Sequence, residues 1–178
     1  MSVIHDLKGE DHMSPAVGML FAMVTENWTR LESITDSMSQ EELDYKGPGN
    51  LYNSSAQLLR HIMFVDLNWV FRMKGQQLPY DMLEQYGPMI DKDNKLPFIE
   101  GVPRDTLISQ HYLVMTMLQQ TCSLLTDEDL NTVLAFGHEN EKQASVRWAL
   151  WHMADHNRYH QAHINQLRKW YKNDTSNR

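Results

Sequence analysis

The stretch VRWALWHMADHNRYHQAHINQLRKW, residues 146–170, decides the fold. Stepping from Val146 by three and four residues in turn meets Ala149, Met153, His156, His160, His163, Leu167 and Trp170. That is the two-turn repeat of a helix presenting one face to a core. The pattern predicts a helix over about 145–172. Since each helical residue advances by about 100°, His160 falls about 40° to one side of His156 and His163 about 20° to the other. Three imidazoles therefore share a narrow sector, and His152 lies at its edge.

Outward from this helix the same period recurs three times. Ser14-Pro15 reads as an N-cap with proline at the first helical position, opening a helix over about 14–35. A second helix over about 54–74 carries Leu58, His61, Ile62, Val65, Asp66 and Trp69 on one stripe, with Gly75 placed to close it. A third runs from Arg104 to about 125. Between the first two, a Ser39-to-Glu42 capping signature allows one helical turn before Gly47-Pro48-Gly49-Asn50 breaks it. The segment 76–103 holds Pro79, Gly87, Pro88, Pro97, Gly101 and Pro103, so only short helical pieces fit there. Its length suggests a crossover and a functional rim. Thr126–Asp129 can form a further turn, and Leu134–Phe136 reads equally as a short strand or an extended loop. The expectation is an all-α protein: a four-helix bundle in one domain over 1–178, with the bundle at about 14–172 and a long connection between helices two and three.

Composition bounds the function. The 178 residues carry 16 Lys and Arg against 23 Asp and Glu, a net charge of −7, with no basic run, which argues against nucleic acid as a partner. No apolar run approaches a membrane span or a signal peptide, and the one cysteine, Cys122, has no partner for an intramolecular disulfide. A cytoplasmic location is expected. Cys122, among apolar residues of the third helix, reads as a buried inert thiol. Trp69, Trp148, Trp151 and the twelve methionines read as core and interface filling, more than a bundle of this size needs inside, so a homodimer is expected.

The histidines carry the chemistry. His156 and His160, at i and i+4, can share one divalent ion, and neutral imidazole suits Zn²⁺, Ni²⁺ or Fe²⁺. His61 can face the pair across the bundle, which leaves a coordination position open. Two other readings compete: core histidines satisfied by carbonyls or water, and axial ligands of a haem. His5, His12, His111 and His138 stand apart and read as surface or structural. Asp66 points about 140° from His61 and reads as a packing partner or a carboxylate orienting a ligand. Asp155 reads as solvated, Tyr159 as packed between helices, and Tyr52 and Tyr80, each beside a turn, as rim contacts.

The helix LLRHIMFVDLNWVFRMKG with His61, followed by RWALWHMADHNRYHQAHINQL, resembles the DinB/YfiT-like superfamily of small four-helix bundles over nearly the whole chain. The resemblance implies that His61, His156 and His160 bind one divalent metal ion. The family's terminal motif continues as arginine, glycine, glutamine, whereas here it reads Gln161-Ala162-His163. His163 is thereby a candidate hydrogen-bond donor, base or fourth ligand. The resemblance also implies a metal-dependent enzyme acting on a small molecule, with S-transfer from a low-molecular-weight thiol ahead of hydrolysis. A non-catalytic metal-binding stress-response protein is the alternative of a different class.

Overall fold

The computed structural model describes residues 4–91, 93, 95–137 and 139–176, so His138 lies outside the described residues. Four long helices, α1 (Pro15–Thr35), α3 (Ser55–Met73), α5 (Arg104–Cys122) and α6 (Val146–Ser176), make the bundle. Two short ones, α2 (Gln40–Asp44) and α4 (Tyr80–Tyr86), lie in the connections.

Local chemistry sets most of the ends. Ser54 Oγ accepts from Gln57 N while the Gln57 side chain accepts from Ser54 N, a complete capping box that starts α3. At its other end Gly75 takes φ +64°, and the Gln76 and Gly75 amides donate to Phe71 O and Arg72 O, closing the last turn. Ser39 Oγ accepts from Glu42 N and starts α2 as expected. At α1 the expected cap is replaced. Ser14 makes no side-chain cap, and Asp127 Oδ1 accepts from Ala16 N and Val17 N instead, a carboxylate against the positive end of the helix. Leu134–Phe136 resolves as strand: β1 (Val133–Phe136) pairs antiparallel with β2 (Lys142–Ser145), in register Val133↔Ser145 to Phe136↔Lys142. Ser145 then accepts from Trp148 N and opens α6 directly from the hairpin.

In the bundle α1 packs on α5 and α6, and α3 packs on the same two. The long connection therefore joins neighbours, α3 and α5, rather than making the suggested crossover. The diagonal steps are α1 to α3 and α5 to α6. Both of those connections contain extra elements, α2 and the β hairpin, which supply the chain length for the wider step.

The buried stripe of α6 is also rotated from the expected seam. Leu150, Met153, Asn157, Gln161, Ile164 and Leu167 face inward, while His156 and His160 sit half-buried on its flank and His163 is exposed. Two amides explain the rotation. Gln161 Nε2 donates to Asn27 O (2.7 Å) and to Asn157 Oδ1 (2.9 Å), and Asn27 Nδ2 donates to Ala154 O (3.0 Å). These bonds offset part of the cost of burying the amides, Asn157 Nδ2 and Gln161 Oε1 being left without a partner among the described residues, and the flank is left to the imidazoles. Among the described residues no helix is long and apolar enough to cross a membrane.

Candidate metal centre

His61 comes from the middle of α3, and His156 and His160 from successive turns of α6, so two packed helices position all three rings. His156 Nε2 lies 3.1 Å from His61 Nε2 and 3.0 Å from His160 Nε2. The rings meet edge-on, with centroids 4.5–5.1 Å apart. Among the described residues this group contains no carboxylate or thiol.

These contacts make a poor hydrogen-bond network. A neutral imidazole nitrogen either carries a proton or offers one lone pair, so His156 Nε2 cannot donate to one neighbour and accept from the other. At best it shares one proton between two lone pairs. One cation between them would accept all three lone pairs. Two nitrogens each about 2.1 Å from one ion stand about 3.0–3.4 Å apart at right to tetrahedral angles, which is the separation seen on both sides of His156, with all three nitrogens within 4.8 Å of one another. The residues therefore fit a divalent ion.

Electrostatics keeps the rings ready as ligands. Burial, reinforced by the other histidines, pushes His156 and His160 down to about 3. Burial lowers His61 as well, opposed by the backbone of Met89. All three are neutral at physiological pH, the form that ligates. The Nδ1 atoms of His61 and His156 are buried and make no hydrogen bond of ordinary geometry.

The connector from α3 to α5 reaches this cluster. Arg60, next to His61, donates through Nε to Tyr86 O and through Nη2 to Gly87 O, and Gln57 Nε2 donates to Leu96 O and Pro97 O. The α3 turn carrying His61 thus holds the connector down.

The other candidates separate. Asp66 does not face the cluster. It is fully buried and accepts from His111 Nε2 at 3.0 Å, with His111 in turn against the Trp28 ring. His111 is structural, and its role was invisible in the sequence because its partner lies 45 residues away. Burial raises the Asp66 carboxyl above its ordinary range against the opposing pull of His111. His152 stacks flat on Trp148, with its centroid 5.5 Å from that of His156. His163 points Nδ1 at His160 Nδ1, 3.4 Å away, rather than joining the group of three. Tyr159, expected between helices, is 61 % exposed and leans on His160 and His163 from outside. Tyr80 is 78 % exposed, while Tyr52 packs on Trp170. Asp155, His5 and His12 are on the surface, and Cys122 is buried. The polar seam of Asn27, Asn157 and Gln161 was missed, although Asn157 and Gln161 at i, i+4 were its trace in the sequence.

The second and last long helices of this four-helix bundle converge three neutral imidazoles that could hold a metal ion. Residues 23–164 match the DinB superfamily, and the chain belongs to it. It is 44 % identical over 172 residues to the uncharacterized protein YkkA of Bacillus subtilis (strain 168), covering 96 % of this chain and 97 % of that protein. The crystal structure of a DinB-like protein from Bacillus cereus ATCC 10987 shares the fold, with a TM-score of 0.61 at 16 % identity over 85 % of this chain and 89 % of that one.

Proposed function

We propose that this protein is a metal-dependent S-transferase: His61, His156 and His160 hold one divalent ion, Zn²⁺, Ni²⁺ or Fe²⁺, and a low-molecular-weight thiol is the nucleophile delivered to an electrophilic small molecule. The observation that carries the reading is the convergence of three neutral Nε2 atoms with no carboxylate among them. When bound, a dication supplies charge that stabilises a thiolate or a hydroxide at neutral pH. The chain's own residues favour the thiolate. An ion on three imidazoles can activate water without a base, but no carboxylate among the described residues is at hand here to assist it, Asp66 being committed to His111. A thiol loses its proton far more readily than water and needs no such base. His163 Nδ1 can accept a hydrogen bond from His160 Nδ1–H, which keeps the His160 Nε2 lone pair turned inward. Exposed as it is, His163 can also pass a proton to solvent.

The same reading places the protein in the cytoplasm, where small thiols stay reduced, and makes it a homodimer, supported by partly exposed Trp148 and Trp151 on α6. Elemental analysis of untagged protein is expected to give one ion per chain, lost in the His156→Ala/His160→Ala variant. Equal metal in both ends the metal reading. A panel of thiols with a chloronitrobenzene or a haloalkane, run beside esters and amides, then tests the reaction. Thiol-dependent turnover absent from His61→Ala supports transfer, whereas thiol-independent hydrolysis or no turnover overturns it. A monomeric mass by light scattering at micromolar concentration removes the dimer.

A further inference from the structure

A cavity of about 260 Å³ opens beside the histidine cluster, between the Gly47 turn, α3 and α6. Leu58 and Leu167 form its apolar floor, and the rings of Tyr52 and Trp170, with centroids 4.7 Å apart and planes at 43°, form one wall. Asn53, Gln166 and His163 line the rest, and among the described residues no Lys, Arg, Asp or Glu contributes. We propose that this cavity binds an uncharged aromatic ring of a small-molecule ligand. As the site for the electrophile of an S-transfer it rests on the function proposed above, but the binding itself does not.

Three features point to this ligand. The size is right: an apolar cavity of about 150 Å³ already takes benzene, so this one, open on one side, has room for a substituted ring. The chemistry is right, because apolar and aromatic walls with neutral polar groups at the edge reward a flat neutral ring and offer a formal charge no counter-ion. The wall is also built rather than incidental. Tyr52 N donates to Lys46 O at 2.9 Å, and Gly47, at φ +73°, lets the Tyr52 ring lie where a Cβ would stand 2.6 Å from Cδ2 and, at 3.4 Å, against Trp170. The position is useful as well. Leu58 lies one helical turn before His61, and His163 lines the cavity while its Nδ1 faces His160, so a ring held here sits at the edge of the cluster.

The test is calorimetric titration of the full-length protein with 4-nitrobenzyl alcohol, which has no leaving group, and with its anionic counterpart 4-nitrobenzoate. Saturable binding of the alcohol, at least about tenfold tighter than that of the carboxylate, is expected, and removing the aromatic wall by Trp170→Leu should weaken it by about threefold to tenfold. Tyr52→Ala, at a half-exposed position, is the second variant should Trp170→Leu fail to fold, and it should weaken binding in the same direction. If the parent binds the alcohol while the metal-loaded parent shows no thiol transfer, the cavity stands and the function falls. Unchanged affinity in the wall variants, tighter binding of the carboxylate, or no saturable binding overturns the proposal.

Discussion

The Asp66–His111 pair offers a quantitative test of how this core is held. Both side chains are essentially out of solvent, at 0 % and 2 % exposure, and one hydrogen bond of 3.0 Å joins them. Asp66 Oδ1 and His111 Nδ1 make no further hydrogen bond. Each such atom costs about 1–3 kcal/mol, so the pair is a net stabiliser only in the sense that half of it is worse. His111→Phe leaves a buried carboxyl without its partner, a loss of about 3–5 kcal/mol. For a chain of this length 1 kcal/mol moves Tm by about 2–4 °C, so the fall should be about 6–20 °C. Asp66→Leu together with His111→Phe replaces both by apolar groups of similar size and should return Tm to the parent value or above it. Thermal denaturation followed by circular dichroism measures all three. A double variant as unstable as the single one, or a single variant within 1 °C of the parent, would refute the reasoning.

Further outcomes concern protonation, reactivity and capping. In the metal-free chain His156 and His160 protonate only near pH 3, against about 6.5 when unfolded, so the unfolded state binds more protons in that window and stability falls as pH drops through it. The Tm of metal-free parent should therefore decline more steeply from pH 7 to 5 than that of His156→Ala/His160→Ala, and parallel curves would contradict the shifts. Burial holds the Cys122 thiol up at about 12, so an aromatic disulfide reagent at pH 8 should label it only after denaturation, and rapid native labelling would show the α5 end to be open. Asp127→Ala should cost about 1 kcal/mol, or 2–4 °C, through two lost caps on α1, whereas Ser14→Ala should change little.

The four helices and the three convergent imidazoles were legible because both depend on spacing along one helix at a time. The i, i+4 relation of His156 and His160 is a local fact, and the apolar stripe of α3 aims His61 in the same way. What was not legible depends on a partner far away in the chain. The seam of α6 was misplaced because Asn157 and Gln161 look solvated in the sequence, whereas in the fold Gln161 donates to Asn27 O on α1 and to Asn157. Asp66 read as a packing partner or a carboxylate orienting a ligand, and only the fold supplies His111 and decides for packing; Ser14 looked like the cap of α1 until Asp127 arrived from a loop 110 residues away. The strand over Leu134–Phe136 was undecidable alone, since its partner KQAS has no strand pattern of its own. The bundle order, too, is a property of which faces match and not of connection length.

That order has a consequence for biosynthesis. The first helix finds its α6 neighbour only across sequence separations of 127 and 134 residues, and His61 meets His156 across 95. A ribosome extruding this chain releases α1, α3 and α5 before the 31 residues of α6 exist to complete the packing of either α1 or α3. The nascent chain consequently carries apolar surface until α6 has emerged, the state in which aggregation competes with folding. The three imidazoles cannot meet before the middle of α6 has emerged, and shortening the chain ahead of His156 removes much of the core of α6 and two of the three rings in one stroke.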